Sequence, residues 1–231
     1  MKAAAKISEI FFSIQGEGVY AGIPQIFVRF YGCNLNCAFC DTPGGKIFFE
    51  ESLREILGRI SSLAGDNRVK DISLTGGEPL LQADFINALA PRLNKRRHRI
   101  HLETNGTLPG ELKKIVDFVD VVAMDVKLSS STRGKSLWKE HREFLKIAQL
   151  KEVFVKVVIT AETKISDFIK AVELVESVRK SVPFILQPVS GFNGFEKIAD
   201  SAFLIDLQRR ALARLRDVRI IPQLHKIMGL R

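Results

Sequence analysis

Residues 32–42 read Gly-Cys-Asn-Leu-Asn-Cys-Ala-Phe-Cys-Asp-Thr and hold every cysteine of the 231-residue chain, Cys33, Cys37 and Cys40. Positions i, i+4 and i+7 share one face of a helix, so three small apolar side chains on a core helix is one reading. The neighbours argue against it. Gly32, Asn34 and Asn36 are poor helix formers, and Pro43-Gly44-Gly45 closes the segment. The stretch reads as a loop that wraps around something. Thiolates are soft ligands suited to zinc and to iron–sulfur clusters. A structural zinc needs four ligands. The fourth would have to be His98, His101, His141, His225 or a carboxylate, and none follows at short finger spacing. A four-iron cluster ordinarily takes four thiolates. With three, one iron is left open to an outside ligand.

Outward from the loop, β-rich apolar runs at 25–30, 71–75, 100–104, 119–126, 153–160, 184–189 and 218–222 alternate with helical patterns. Helices are expected at 53–63, 165–181 and 199–215. Leu81, Phe85, Leu89 and Leu93 predict a further helical face, with Pro91 expected to kink it. This alternation predicts an α/β fold, a partial (open) β/α barrel with about six or seven mostly parallel strands, in one domain over residues 1–231. Polar residues gather where these strands end: Thr75–Glu78, Glu103–Gly106, Asp125–Lys127, Gln187 and Gln223. In parallel α/β folds that rim binds ligands.

The net charge of +9 is scattered, with clusters at residues 95–99 and 209–216. It reads as a solvated surface or as a face for an anionic partner. No aromatic ladder accompanies it, so direct nucleic-acid binding is not expected. Glu9 interrupts the N-terminal apolar stretch, and no run is long enough to span a membrane. Clustered cysteines without distant partners suggest a reducing, cytoplasmic setting.

Cys33-x3-Cys37-x2-Cys40 followed by Thr75-Gly76-Gly77-Glu78-Pro79 resembles the radical S-adenosylmethionine (SAM) enzymes. The resemblance implies a radical SAM core with a [4Fe-4S] cluster on the three cysteines and SAM chelating the fourth iron. Reductive cleavage of SAM would then give a 5′-deoxyadenosyl radical that takes hydrogen from a substrate. It also implies Phe39 against the adenine, and Gly77 and Glu78 at the methionine amino group. A longer set is similar to the 7-carboxy-7-deazaguanine synthase family: Phe12-Ser13-Ile14-Gln15-Gly16-Glu17-Gly18, Phe27-Val28-Arg29, Cys40-Asp41-Thr42, Glu103-Thr104-Asn105-Gly106-Thr107 and Gln223-x-His225-Lys226. The likeness runs from about residue 7 to 231. Its members convert 6-carboxy-5,6,7,8-tetrahydropterin to 7-carboxy-7-deazaguanine with loss of ammonia, need Mg2+, and serve queuosine and other deazapurine pathways.

The resemblance implies SAM contacts at Asn105, Asp125, Val126, Lys127 and Gln187. It implies substrate contacts at Ile14, Gln15, Gly16, Glu17, Arg29, Thr75, His225 and the terminal Arg231, and Mg2+ at Thr42. Each has a chemical reason and a plainer reading. A guanidinium at Arg29 forks onto a carboxylate, or is a surface arginine. Gln15 and Glu17 satisfy pterin donors and acceptors, or belong to a turn. The Thr42 hydroxyl suits a hard cation, or caps a turn before Pro43. Asp125-Val126-Lys127 departs from the Ser-Pro-Lys of many relatives, which puts the contacts of its first two residues in question.

A homodimer and an acidic electron donor such as a flavodoxin are implied as partners. A glycyl-radical activase shares the cysteine spacing but lacks the Gln15–Gly18 motif and the Gln223–His225 ending. A zinc-binding interaction module is the reading from another class.

Overall fold

The computed structural model describes residues 4–40, 47–191 and 198–230. Thr42 and Arg231, expected at Mg2+ and at substrate, lie outside the described residues. Strands β1 (Ala4–Ile14), β2 (Pro24–Phe30), β3 (Phe49–Ser52), β4 (Asp71–Gly76), β5 (Arg99–Thr104), β6 (Val121–Asp125), β7 (Glu152–Ile159), β8 (Phe184–Pro188) and β9 (Val218–Ile220) form one sheet. Its order is β3-β1-β2-β4-β5-β6-β7-β8-β9, so β3 and β9 lie at opposite ends and the barrel stays open. From β2 through β4 to β9 every pairing is parallel. Strand β1 pairs antiparallel with both β2 and β3.

The seven expected strands all form, each end within two residues of its expected place. Strands β1 and β3 were not expected. In β1 the pairing shifts between Ile7 and Glu9, so buried positions pass from Ala5 and Ile7 to Ile10 and Phe11. That bulge breaks the two-residue period on which strand recognition rests.

Helices α1 (Leu53–Asn67), α2 (Ala83–Lys95), α3 (Pro109–Ile115), α4 (Ser129–Thr132), α5 (Trp138–Ala148), α6 (Ile165–Val178), α7 (Ser201–Leu212) and α8 (Leu224–Ile227) complete the framework. Ser52 starts α1 with a capping box, accepting from Glu55 N while the Glu55 carboxylate takes the Ser52 N–H, an arrangement worth about 1 kcal/mol. Phe85, Leu89 and Leu93 are buried as expected, and α2 continues past Pro91 to Lys95. Leu81 does not join them. It sits in the 3-10 turn before α2, half exposed, because Pro79 sets a different turn there.

The two faces of the sheet differ in chemistry. Ile26, Val28, Ile72, Leu74, Ile100, Leu102, Val122, Met124, Val155, Val157, Phe184 and Leu186 join one apolar core with the helices. Their alternate neighbours Arg29, Thr75, Glu103, Asp125, Lys156 and Gln187 line a cavity on the other side. Strand alternation alone produces this division. The opposite end of that inner side is closed by the Gly18–Tyr20 turn. Val19 and Tyr20 pack on Val121, Phe154 and Ile185. The Tyr20 hydroxyl meets Glu152 and accepts from Arg99 Nη2 at 2.7 Å, and its ring stands edge-on to His101 with centroids 4.7 Å apart. Among the described residues no helix is long and apolar enough to cross a membrane.

Candidate active site

The inner face opens at the C-terminal ends of the parallel strands into a cavity of about 610 Å3. The cysteine loop forms one lip. Cys33 and Cys40 are exposed, Cys37 is half-buried, and none is in a disulfide. Polar ties fix the loop. Asn105 Nδ2 donates to Asn34 Oδ1 at 2.8 Å, Asn34 Nδ2 donates to Thr107 Oγ1 at 2.9 Å, and Ala38 N donates to Thr132 O at 3.0 Å.

The Gly76-Gly77 turn packs directly against the loop. A Cβ on Gly77 would stand 2.4 Å from Gly32 O and 2.8 Å from Cys33 Cβ, so this approach requires glycine. Next to it, Glu78 N donates to Gly32 O at 2.8 Å. Burial pushes the Cys33 thiol up and the Cys37 thiol up to about 11, so these two are thiols in the free loop. A bound metal would displace those protons.

The three cysteines offer their sulfurs from one loop, and a four-iron cluster takes each thiolate on a different iron. Three of the four histidines are engaged elsewhere. His98 Nδ1 meets Lys70 O at 3.2 Å and His101 Nε2 meets Asp71 at 2.8 Å. His141 is fully buried against Asn105 O at 3.1 Å, and burial lowers it to about 4, so it is a neutral packing residue.

Phe39 lies beside the cysteines and packs on Val158 and Val189. Lys127 sits 5.4 Å from its ring centroid and donates to Asp125 Oδ2 at 2.8 Å. Two buried oxygens here, Asp125 Oδ1 and Gln187 Oε1, have no protein partner. Both residues line the cavity. Buried acceptors without partners are costly, and donors from a ligand would satisfy them. This apolar ring with orphaned acceptors fits an adenosyl group.

The facing wall is ionic. Arg29 Nε donates to Glu9 Oε1 at 2.7 Å, and its guanidinium lies 5.7 Å from the Phe11 ring centroid. Gln15 gives its Nε2 protons to Gln25 Oε1 at 3.1 Å and Glu103 Oε1 at 2.8 Å, while its Oε1 accepts from Glu17 N at 3.1 Å. Its amide therefore fixes the Glu103 carboxylate and the Glu17 backbone. Glu103 also accepts from Ser73 at 2.5 Å and Thr75 at 3.2 Å. Glu17 pairs with Lys156 and accepts from Gln223 Nε2 at 2.8 Å. Despite burial, Lys156 and these hydrogen bonds hold the Glu17 carboxyl down at about 2. Gly16 lies so close to His225 that a Cβ there would fall 2.0 Å from the ring Nδ1.

Most of the expected site residues within the described chain line this one cavity: Ile14, Gln15, Gly16, Glu17, Arg29, the three cysteines, Phe39, Thr75, Gly77, Asn105, Asp125, Lys127, Gln187 and His225. Two do not. Val126 and Glu78 are fully buried behind the wall. The Glu78 carboxylate accepts from Leu80 N at 3.0 Å, Thr104 Oγ1 at 2.9 Å and Asn105 N at 2.8 Å, which locks the Gly-Gly turn to β5. Glu103, Lys156 and Gln223 also line the cavity without having been expected there as contacts. The signal for the first two was a charged residue at an alternate position inside an apolar strand.

Burial raises the Glu78 carboxyl from 4.5 to about 7, against the pull of its three donors. The folded state thus binds this proton more tightly than the unfolded chain does. Its contribution to stability is full below 4.5 and is lost as pH rises to about 7. Glu78→Gln would set an amide NH2 against a backbone N–H, costing about 2 kcal/mol and lowering the melting temperature by roughly 5 °C at pH 7. Calorimetric melting from pH 4 to 8 checks both. The variant should lose the parent's decline over that window, and an identical pH profile would refute the assignment.

Residues 27–175 match the Radical SAM superfamily. In an alignment of 249 positions the chain is 37% identical to the 7-carboxy-7-deazaguanine synthase of Geobacter sulfurreducens, covering 99% of this chain and 98% of that one. Against the 7-carboxy-7-deazaguanine synthase of Methanothermobacter thermautotrophicus it is 35% identical, covering 98% of each. The crystal structure of QueE from Escherichia coli superposes with a TM-score of 0.68 at 22% identity, covering 97% of this chain and 96% of that one, a likeness of fold.

Proposed function

The chain belongs to the radical SAM superfamily and, within it, to the 7-carboxy-7-deazaguanine synthases, and we propose that it converts 6-carboxy-5,6,7,8-tetrahydropterin to 7-carboxy-7-deazaguanine with loss of ammonia. The observation that carries this reading is a single cavity with two unlike walls. Three thiols and a glycine turn stand on one side, and a guanidinium with two oriented carboxylates on the other.

The family implies a [4Fe-4S] cluster and SAM, which together supply reductive cleavage of the sulfonium and abstraction of a hydrogen atom from substrate. Cys33, Cys37 and Cys40 would hold the cluster. Phe39, Val158 and Val189 give the adenine an apolar face, and Asp125 Oδ1 and Gln187 Oε1 accept from ligand hydroxyl or amino protons. Gly77 and Asn105 stand beside Cys33, where the methionine end of SAM would lie. The bulk of Glu78 and Val126 is behind that surface, so only their backbone can serve it.

Arg29, fixed on its Nε edge by Glu9, offers its fork to the 6-carboxylate. Glu17 and Glu103 accept from the donor edge of the pterin. Thr75 holds Glu103 from below, and His225 closes over Gly16. The Thr42 hydroxyl would contribute an oxygen ligand to Mg2+, which would supply positive charge to offset the substrate carboxylate. The whole of residues 1–231 is read as one domain, since a single sheet runs from β1 to β9.

Free thiols suit a cytoplasmic setting. The charge of +9 suits an acidic donor such as a flavodoxin. Reduction by flavodoxin should slow as salt rises, and a salt-independent rate would remove that partner. A homodimer is checked by sedimentation at micromolar concentration, where a monomer alone would contradict it.

The decisive assay is anaerobic. Reconstituted protein receives SAM, reductant and carboxytetrahydropterin, with and without Mg2+. The deazapurine should form with Mg2+ and fall sharply without it. Protein that takes up iron and cleaves SAM yet never yields the deazapurine, while generating a glycyl radical in a partner protein, would favour the activase reading.

A further inference from the structure

The two walls of the cavity are joined by one chain of ionic groups. Lys127 Nζ donates to Asp125 Oδ2 at 2.8 Å, and Lys156 Nζ stands 3.5 Å from the same oxygen. Lys156 also pairs with Glu17 Oε2, and Glu17 Oε1 accepts from Gln223 Nε2 at 2.8 Å. The chain thus crosses from β6 to β7, to the segment after β1, and to the residue that opens α8. Lys156 is its middle member, and the side chains of Lys127, Asp125, Lys156 and Glu17 are each less than a fifth exposed.

We infer that Lys156 is a positioning residue, holding the substrate-facing Glu17 as an oriented carboxylate and tying it to Asp125 on the cofactor side of the cavity. The inference rests on the proposed function for its ligands but not for its geometry. Lys156 leaves β7 from an inward position between Phe154 and Val158, where an ammonium has no reason to be except its partners. Glu17 and Asp125, both nearby acids, keep it protonated, with Glu103 adding to them from β5. Toward Glu17 the facing groups are Lys156 from β7, Gln223, and His225 from α8. Of these, Lys156 is the fixed cation in contact. Burial works against the Glu17 carboxylate, so removing that cation leaves desolvation in command. Asp125 keeps a second cation in Lys127 and is less exposed to the loss.

The test compares the parent with Lys156→Met and Lys156→Arg, all loaded with cluster under anaerobic conditions. Carbon-13 NMR of the glutamate carboxyls reads Glu17 directly, with Glu17→Gln assigning the signal. In the parent, Glu17 should stay ionised across the whole range from pH 4 to 8. In Lys156→Met it should titrate well inside the range from pH 4 to 8, and in Lys156→Arg it should remain ionised. Calorimetric binding of carboxytetrahydropterin with SAM present gives the second readout. Lys156→Met should bind about tenfold more weakly, and more weakly still at pH 6 than at pH 8.5, as the protonated acid stops accepting. Lys156→Arg should bind as the parent does at both.

A Glu17 that stays ionised in folded Lys156→Met would overturn the inference. So would equal weakening in both variants at every pH, the mark of simple structural damage. A parent that fails to bind the carboxypterin would sink the proposed function instead. The NMR titration, which needs no substrate, would still decide the role of Lys156.

Discussion

Cys37→Ala is expected to leave the fold intact and to lower turnover of the loaded enzyme by about 1,000-fold or more, since loss of a direct ligand should exceed the 10- to 100-fold typical of outer-shell changes. The chain has three thiols in all and no fourth to substitute. Cys37 is half-buried on the small Phe39, Val158 and Val189 cluster, apart from the main core. The unloaded variant should therefore melt within about 1 kcal/mol of the parent. Iron and sulfide analysis after anaerobic reconstitution, the brown absorption, and release of 5′-deoxyadenosine are the measurements. A variant with full iron content and parental SAM cleavage would remove the cysteine loop from the chemistry.

Gly77→Ala makes the next largest effect, and it involves no ligand. Its methyl group would meet Gly32 O at 2.4 Å and Cys33 Cβ at 2.8 Å. These contacts are with backbone and with the root of a side chain, so no flexible tip can yield. The loop must move relative to β4, and the bond from Glu78 N to Gly32 O must stretch with it. Strain of this kind costs about 1–3 kcal/mol. The displacement should cost about 100-fold in turnover, because reacting groups misplaced by about 1 Å lose that much. Gly58→Ala is the control. It lies inside α1 with nothing within 4 Å of the new methyl, and should be neutral or stabilising by about 0.5–1 kcal/mol. Parental turnover in Gly77→Ala would mean that the close contact is not needed.

The cysteine loop, the Gly-Gly turn and the seven parallel strands were legible because each rests on local chemistry. Spacing, glycine and apolar runs are properties of short stretches. The missing strands were hidden for a definable reason. In β1 a bulge shifts the alternation, and β3 is four residues long with Phe49 and Glu50 exposed.

The site shows the same limit. Arg29 and Glu17 were found through motifs. Lys156 was passed over because its run reads as an uninterrupted buried strand, Val-Phe-Val-Lys-Val-Val-Ile. Only the pairing of β7 between β6 and β8 shows that its alternate residues face a cavity. The role of Glu78 is non-local too. Its carboxylate serves Thr104 and Asn105, which lie 26 and 27 positions away.

The bond between Gln223 and Glu17 spans 206 positions, and Leu224 N reaches back to Gly16 O beside it. A nascent polypeptide acquires its cysteines early in translation but cannot finish this wall until residue 223 has left the ribosome tunnel. Incomplete chains therefore present thiols without an enclosed chamber around them. Closure of the substrate wall is thus the last step by which synthesis completes the cavity.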